Sequence, residues 1–490
     1  MKSNTGFLSL SEELQFYILY FLPYRDIIRC TSVCKALRQT YVSSSELQYT
    51  VELGGQHLIP ISNTDSDNHT PVSERLQYLR DRAHAWFRVD IHSAKTISIP
   101  KPSYVDSFIA DGHIYWWNEE DDTATIKPIL PKPLQQTIER NWSPGTLCTV
   151  TNSAIIRVLM DPAQNLIAIV CVDDETLFVS LRALDDDSFH PQAAGPTLSL
   201  SELPGYDNEV DSEGIELKVM GRHIALQRAA SYHWTWQLQI WDWQHSTTSD
   251  SVLSEDYSHE IDFCFLGNDR LLVVTDNLKL YSIEDIVFVS VQPLRACLLP
   301  ADGIACSSKP RMQAQPMMYT SDPKHRLLCI TAHTHTSSTV YIISTRIFFD
   351  LAETAVAMPI PWKCWGPSNT RIFQCPLEHK VHVSGNRVLQ TFPVSTSDSG
   401  PNEYVLHLMD FSPLAVTNRR GLGQVATKPS TLNVADLECM HDSCEEHLTT
   451  FLPYVEVVLD RKFAISDLEN IWIDKDRIYL LSDKLEVIDV

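Results

Sequence analysis

Apolar side chains follow two different periods along this chain. From Leu10 to Tyr41 they recur every three or four residues, as on one face of a helix. From about Lys95 onward they come as short β-branched and aromatic runs separated by Gly, Asn, Asp and Pro turns. Ser9-Leu-Ser-Glu12 fits a capping box, which predicts a helix start there. Leu10, Leu14, Tyr17, Ile18 and Phe21 would then form one stripe, ended by Pro23. Asp26 is expected to cap a second helix carrying Ile27 and Ile28, and a third would present Val33, Cys34, Leu37 and Tyr41 with Lys35 and Arg38 outward. Three such helices bury little surface alone, so they need a partner or a neighbouring domain. Gly54 to His69 is polar and reads as a linker. Thr70-Pro71 then predicts the start of a further helix with Leu76, Leu79, Ala83 and Trp86 or Phe87 on one face.

In the second region one loose phrase recurs: a Gly, Asn or Asp turn, often a basic residue, then an aliphatic strand. Its anchors are Ile114, Leu166, Ile224, Leu271, Leu327, Val388 and Ile478, 47 to 61 residues apart except for a last gap of 90. Most are followed by a second alternating run, beginning at Thr176, Leu238, Leu278, Thr339, Tyr404 and Leu485, so each pair reads as a hairpin. Antiparallel units repeated this often predict a β-propeller, because a ring of blades buries faces that one blade leaves open. Seven blades is the count, with six or eight open, and two stacked β-sandwiches are the rival architecture. The finish at Val490 on a strand fits a ring completed by a terminal strand.

Leu22-Pro23 ahead of the acid-capped Ile27-Ile28, with Val33-Cys-Lys35 following about ten residues after Pro23, resembles an F-box over roughly Ser9 to Leu53. The stretch from Ser45 to Leu53 is similar to the segment C-terminal to many fungal F-boxes. Leu238-Gln-Ile-Trp-Asp-Trp243 resembles a degenerate WD-type blade without the full Gly-His to Trp-Asp signature. The expected fold is therefore α+β and multidomain: a tail at 1–8, an all-α F-box of three short helices at 9–53, a linker with a helix at 54–94, and a mostly all-β propeller at 95–490 with a polar insertion near 413–450.

The F-box resemblance implies docking onto a Skp-type adaptor of a cullin-RING ubiquitin ligase, an SCF complex. The adaptor-binding set would be Leu10, Leu14, Ile18, Leu22, Pro23, Ile27, Val33, Cys34 and Leu37. The propeller would bind a protein substrate and deliver it for ubiquitin-dependent degradation, with no catalysis of its own and no cofactor. The alternative is a propeller scaffold that gathers partners without ubiquitination.

The charge balance changes the picture of partners. Against 62 acidic side chains stand 39 lysines and arginines, a formal charge of -23, which disfavours nucleic acid as a ligand and favours a basic protein surface. The first fifty residues hold five basic and four acidic side chains, so the excess belongs to the rest. Neither a signal peptide nor a membrane span is expected, which points to the cytoplasm or nucleus. The twelve cysteines lack a disulfide framework.

Candidate chemistry is sparse. Cys439, His441, Cys444 and His447 form a mixed thiol–imidazole set of the type zinc takes, but among crowded acids and at an unusual spacing, so a solvated acidic insertion is the plainer reading. His333 with His335, the Asp185–Asp187 run and the Arg419-Arg420 pair read as loop residues. Trp116, Trp117, Trp234, Trp236, Trp362 and Trp365 are either binding hot spots or packing between blades. No nucleophile elbow or phosphate loop occurs, and a propeller enzyme would need convergent acids or a metal in its channel.

Overall fold

The structure is a computed structural model. It describes residues 6–60, 70–99, 106–131, 137–148, 153–173, 176–201, 214–230, 235–256, 261–275, 277–283, 291–294, 303–307, 319–333, 337–350, 360–394, 403–417, 421–433, 447–464 and 467–490. Helices are concentrated at the N-terminal end and strands dominate the remainder.

Four helices, α1 (Glu12–Tyr20), α2 (Tyr24–Val33), α3 (Lys35–Ser43) and α4 (Ser45–Gly55), form the first unit. Their boundaries depart from the sequence reading in three places. The residue before α1 is Ser11, not Ser9, since Phe7–Ser9 forms a separate turn of 3-10 helix. Asp26 lies inside the first turn of α2, where Pro23 holds the cap position; there it supports the helix dipole and pairs with Arg29 at 2.8 Å. A fourth helix extends the expected three. It is capped by Ser44, whose hydroxyl accepts the Leu47 amide at 3.1 Å. Leu19, Ile27, Leu37, Leu47 and Val51 make the core of this unit. Gly54 seals it: a Cβ there would stand 2.5 Å from the Tyr24 ring.

Beyond it the described residues form seven four-stranded antiparallel sheets, the sixth carrying an additional edge strand, Gln424–Ala426. This is a seven-bladed β-propeller. Each of the seven sequence anchors opens or lies near the start of the second strand of one blade: His113–Asn118, Leu166–Asp173, His223–Ala230, Arg270–Val274, Leu327–His333, Arg387–Pro393 and Arg477–Leu481. The recurring turn is thus the connection between the first and second strands. In several blades this turn uses left-handed backbone, as at Asp111 and Gly112 (φ 43° and 71°).

Closure is visible in the packing. Apolar clusters join blades 1 and 2, 2 and 3, 3 and 4, 4 and 5, 5 and 6, and 6 and 7. A further cluster joins Ile109, Ile114 and Trp116 of blade 1 to Trp472, Tyr479 and Leu485 of blade 7. Two stacked sandwiches would not give this cyclic series. The C-terminal strands supply only three strands of blade 7; its outermost strand is Lys95–Ile97, paired antiparallel with Leu485–Val487. The propeller therefore closes by pairing the first strand of its segment with its C-terminal strand inside one blade.

The 90-residue gap between the last two anchors holds the helix Pro413–Val416, the hairpin of Ser430–Asn433 with His447–Thr450, and the long strand Tyr454–Ala464. Leu432 and Leu448 of the hairpin pack with Trp362 and Trp365 beside blade 5. Cys439, His441 and Cys444 lie outside the described residues.

The stretch expected to be a linker is only partly irregular. Leu58–Pro60 is a strand paired with Tyr319–Ser321, and α5 (Val72–Ala85) comes next, with Pro71 at its cap position. Leu76, Leu79 and Ala83 are buried, and of the two aromatic candidates it is Trp86 that enters the core, between blades 6 and 7. Leu53 of α4, Leu79 of α5 and Tyr319 of the propeller share one cluster, so the two units are packed together.

Candidate functional site

The feature that calls for a ligand is α1. One side, with Leu19 and Phe16, faces the helical core, and Gln15 Nε2 donates to the Leu10 carbonyl at 2.9 Å. The opposite side is also apolar and lies in water: Leu14 is 51% exposed, Tyr17 58% and Phe21 81%, with Ile18 beside them. These positions are three, four and seven residues apart, hence one face. A helix apolar all round is normally covered on every side, and this one is covered on half. Leu8, Leu10 and Val33 are exposed as well.

The local sequence explains why the exposed face is built as it is. Pro23 cannot continue α1, so the chain turns at Leu22 and restarts as α2. Glu12 and Glu13 sit in the first turn of α1, and the Glu13 carboxyl is held below the usual carboxylate range by a backbone amide and by the Ser11 hydroxyl. Cys34 occupies the cap position of α3 and is half-buried.

Against the residues expected to bind an adaptor, the structure divides the set. Leu10, Leu14, Ile18, Pro23 and Val33 are exposed; Leu22 and Cys34 are half-buried. Ile27 and Leu37 are not surface residues: Ile27 is fully enclosed and Leu37 nearly so, packed with Leu19, Leu47 and Val51. Their apolar character serves the fold of the unit. Tyr17 and Phe21 lie on the predicted stripe but outside the expected binding set, although they are among its most exposed members.

Comparison with known proteins gives a match at this position: the family model of the F-box domain aligns with residues 7–40. Residues 7–40 are an F-box domain. No curated protein matches the chain. Among solved structures, the WD40 domain of Toxoplasma gondii coronin is 8% identical, covers 81% of this chain and 88% of its own, and has a TM-score of 0.39. The C-terminal WD40 domain of Sif2 is 10% identical over 81% of this chain and 98% of its own, with a TM-score of 0.36. The seven-bladed ring stands on this chain's own strand pairing.

Other candidates resolve into packing. Trp116, Trp117, Trp236, Trp362 and Trp365 are buried between strands or blades; Trp234 lies outside the described residues. Asp187 is bound by Arg140 and accepts the Trp142 indole N–H at 2.8 Å, tying blade 2 to blade 1. His333 contacts Ser338 Oγ at 2.8 Å, whereas His335 and the Arg419-Arg420 pair lie outside the described residues. Among the described residues no three His, Cys, Asp or Glu side chains are grouped to hold a metal, and no helix is long and apolar enough to cross a membrane.

Proposed function

We propose that this chain is the substrate-recognition subunit of an SCF-type ubiquitin ligase, with the F-box docking a Skp-type adaptor and the propeller holding a protein target. The exposed apolar face of α1 carries this reading, because it sits within the domain whose family is known for adaptor binding. The contact set is Leu10, Leu14, Tyr17, Ile18, Phe21, Pro23 and Val33, with Leu22 and Cys34 at its margin. The role is positional: a receptor raises the effective concentration of target lysines near the charged ubiquitin carrier. The paired strand at Leu58–Pro60 and the packing of α5 through Leu76, Leu79 and Ala83 support it, since a stiff connection keeps a target at a constant distance from the adaptor.

The test is co-expression with a Skp-type adaptor and size-exclusion chromatography. A one-to-one complex is expected, lost in the Leu14→Asp, Ile18→Asp double variant while the propeller stays folded by circular dichroism. Phe21→Ala, at the most exposed position, is expected to weaken the complex by roughly 30-fold, the cost of truncating one anchoring side chain worth about 2 kcal/mol. Undiminished co-purification of the double variant would remove the docking assignment.

A further inference from the structure

The junction after the F-box (Gln56, Leu58 and, in α5, Arg82) and the propeller enclose a cavity of about 80 Å³. Its wall collects cations from distant parts of the chain: Arg82 of α5, and Arg326, Arg387 and Lys475 from the propeller. One carboxylate, Asp410, faces them, and Asp476 stands behind, paired with Arg82 at 2.8 Å. Asp322 also acts on Arg326, so four positive groups stand against three negative ones, a net positive cluster in a chain with a formal charge of -23.

The pairing within this cluster is incomplete. Arg326 is only 9% exposed; it donates one N–H to the Ser321 carbonyl at 3.1 Å, and its Nε is buried without an acceptor. Arg387 Nε lies 3.3 Å from Asp410 Oδ2 without a directed hydrogen bond, and its guanidinium rests 4.7 Å over the Trp86 ring. The other Asp410 oxygen is occupied by the Ser412 amide at 2.8 Å. Burial pushes the Arg326 guanidinium down to about 10, and it lowers Arg387 as well, with Arg82 adding repulsion. Buried cations with unmet donors are costly unless an anion completes them.

We propose that this cavity binds a small, multiply charged oxyanion of the phosphate class, held by Arg326, Arg387 and Lys475 beside Arg82 of α5, and that the bound anion fastens α5 to the propeller. Guanidinium groups match such an anion because their planar N–H forks meet its oxygens in pairs. The volume suits one tetrahedral group and several waters' worth of space, not a peptide. Since the wall comes from α5 and from blades 5, 6 and 7, occupancy would couple ligand level to the rigidity of the receptor.

The experiment uses the full-length chain, titrated with inorganic phosphate or with glycerol phosphate at constant ionic strength, with chloride as the control. The thermal midpoint is expected to rise and saturate with either phosphate, and calorimetry should give one site. A response to glycerol phosphate alone would identify a phosphorylated metabolite as the source and still support the site. Arg326→Gln and Lys475→Gln should each weaken apparent affinity at least tenfold. If Arg326→Gln does not fold, Lys475→Gln, at a half-exposed turn, decides. A phosphate effect no larger than that of chloride, or one undiminished in Lys475→Gln, overturns the proposal. The comparison with the variant matters because phosphate also stabilises proteins generally by exclusion from their surface.

Discussion

Individual side chains hold the two units together, and Trp86 is the clearest case. It closes α5, inserts among Leu389, Leu406 and Ile471 between blades 6 and 7, and supports the Arg387 guanidinium on its ring face. Removing it leaves a large cavity and strips a buried cation of its cover. Trp86→Ala is therefore expected to cost about 3–5 kcal/mol in urea unfolding of the full chain. Adaptor binding should persist, because the exposed face of α1 does not touch Trp86. At this scale the sequence is informative but ambiguous. Helical spacing places Trp86 or Phe87 on the buried face, and only the propeller surface chooses Trp86, by offering a slot there. The same ambiguity governs Ile27 and Leu37, whose apolar character is equally suited to a partner and to a core; α4 packing over them decides for the core.

Among elements, the junction strand Leu58–Pro60 is the one that composition hides. A segment rich in Gly, Ser, Asn and Asp offers no alternating pattern, yet three residues of it pair with Tyr319–Ser321, and the His57 carbonyl accepts the Asp322 amide at 2.9 Å. His57 stacks on His325 at 4.4 Å between ring centroids and reaches Asn386 Oδ1 at 3.4 Å. Burial, reinforced by His325, lowers the His57 pKa from the ordinary 6.5 to about 4, with Asn386 and Asp322 acting in the opposite sense and Arg25 in the same one. Between those pH values the undocked state takes up a proton that the docked state does not. Docking is thus fully supported above about pH 6.5 and is lost progressively as pH falls toward 4. Denaturant titrations from pH 7 to 4 should show a steeper stability loss for the native chain than for His57→Gln; parallel curves would exclude His57 as the cause.

At the scale of the whole molecule, the propeller ring closes by joining its first strand to its last. Lys95–Ile97 forms the outer edge of blade 7, Lys95 pairs with Asp489 at 2.6 Å, and Arg477 donates to the Ile129 and Leu130 carbonyls of blade 1 at 2.8 and 2.9 Å. Replacing residues 95–97 by a Gly-Ser linker should expose the edge Leu485–Asp489 and loosen the contact between blades 7 and 1. A lowered thermal midpoint and early proteolysis near the C-terminus are the expected readouts; unchanged protease resistance would show that the apolar cluster between these blades suffices to hold the ring. Strand type and repeat number are local consequences of side-chain alternation and turn chemistry, which is why the seven anchors Ile114 to Ile478 and the apolar stripe of α1 are legible from residue order alone. The tertiary structure was needed for every contact between residues far apart in the chain: the outward orientation of Leu14, Tyr17 and Phe21, the interlocking of Lys95–Ile97 with the last blade, and the meeting of Arg82, Arg326, Arg387 and Lys475 around one cavity. Local periodicity records which face of an element is apolar, but only the packing of distant elements determines whether that face is covered, and with what charge it is confronted.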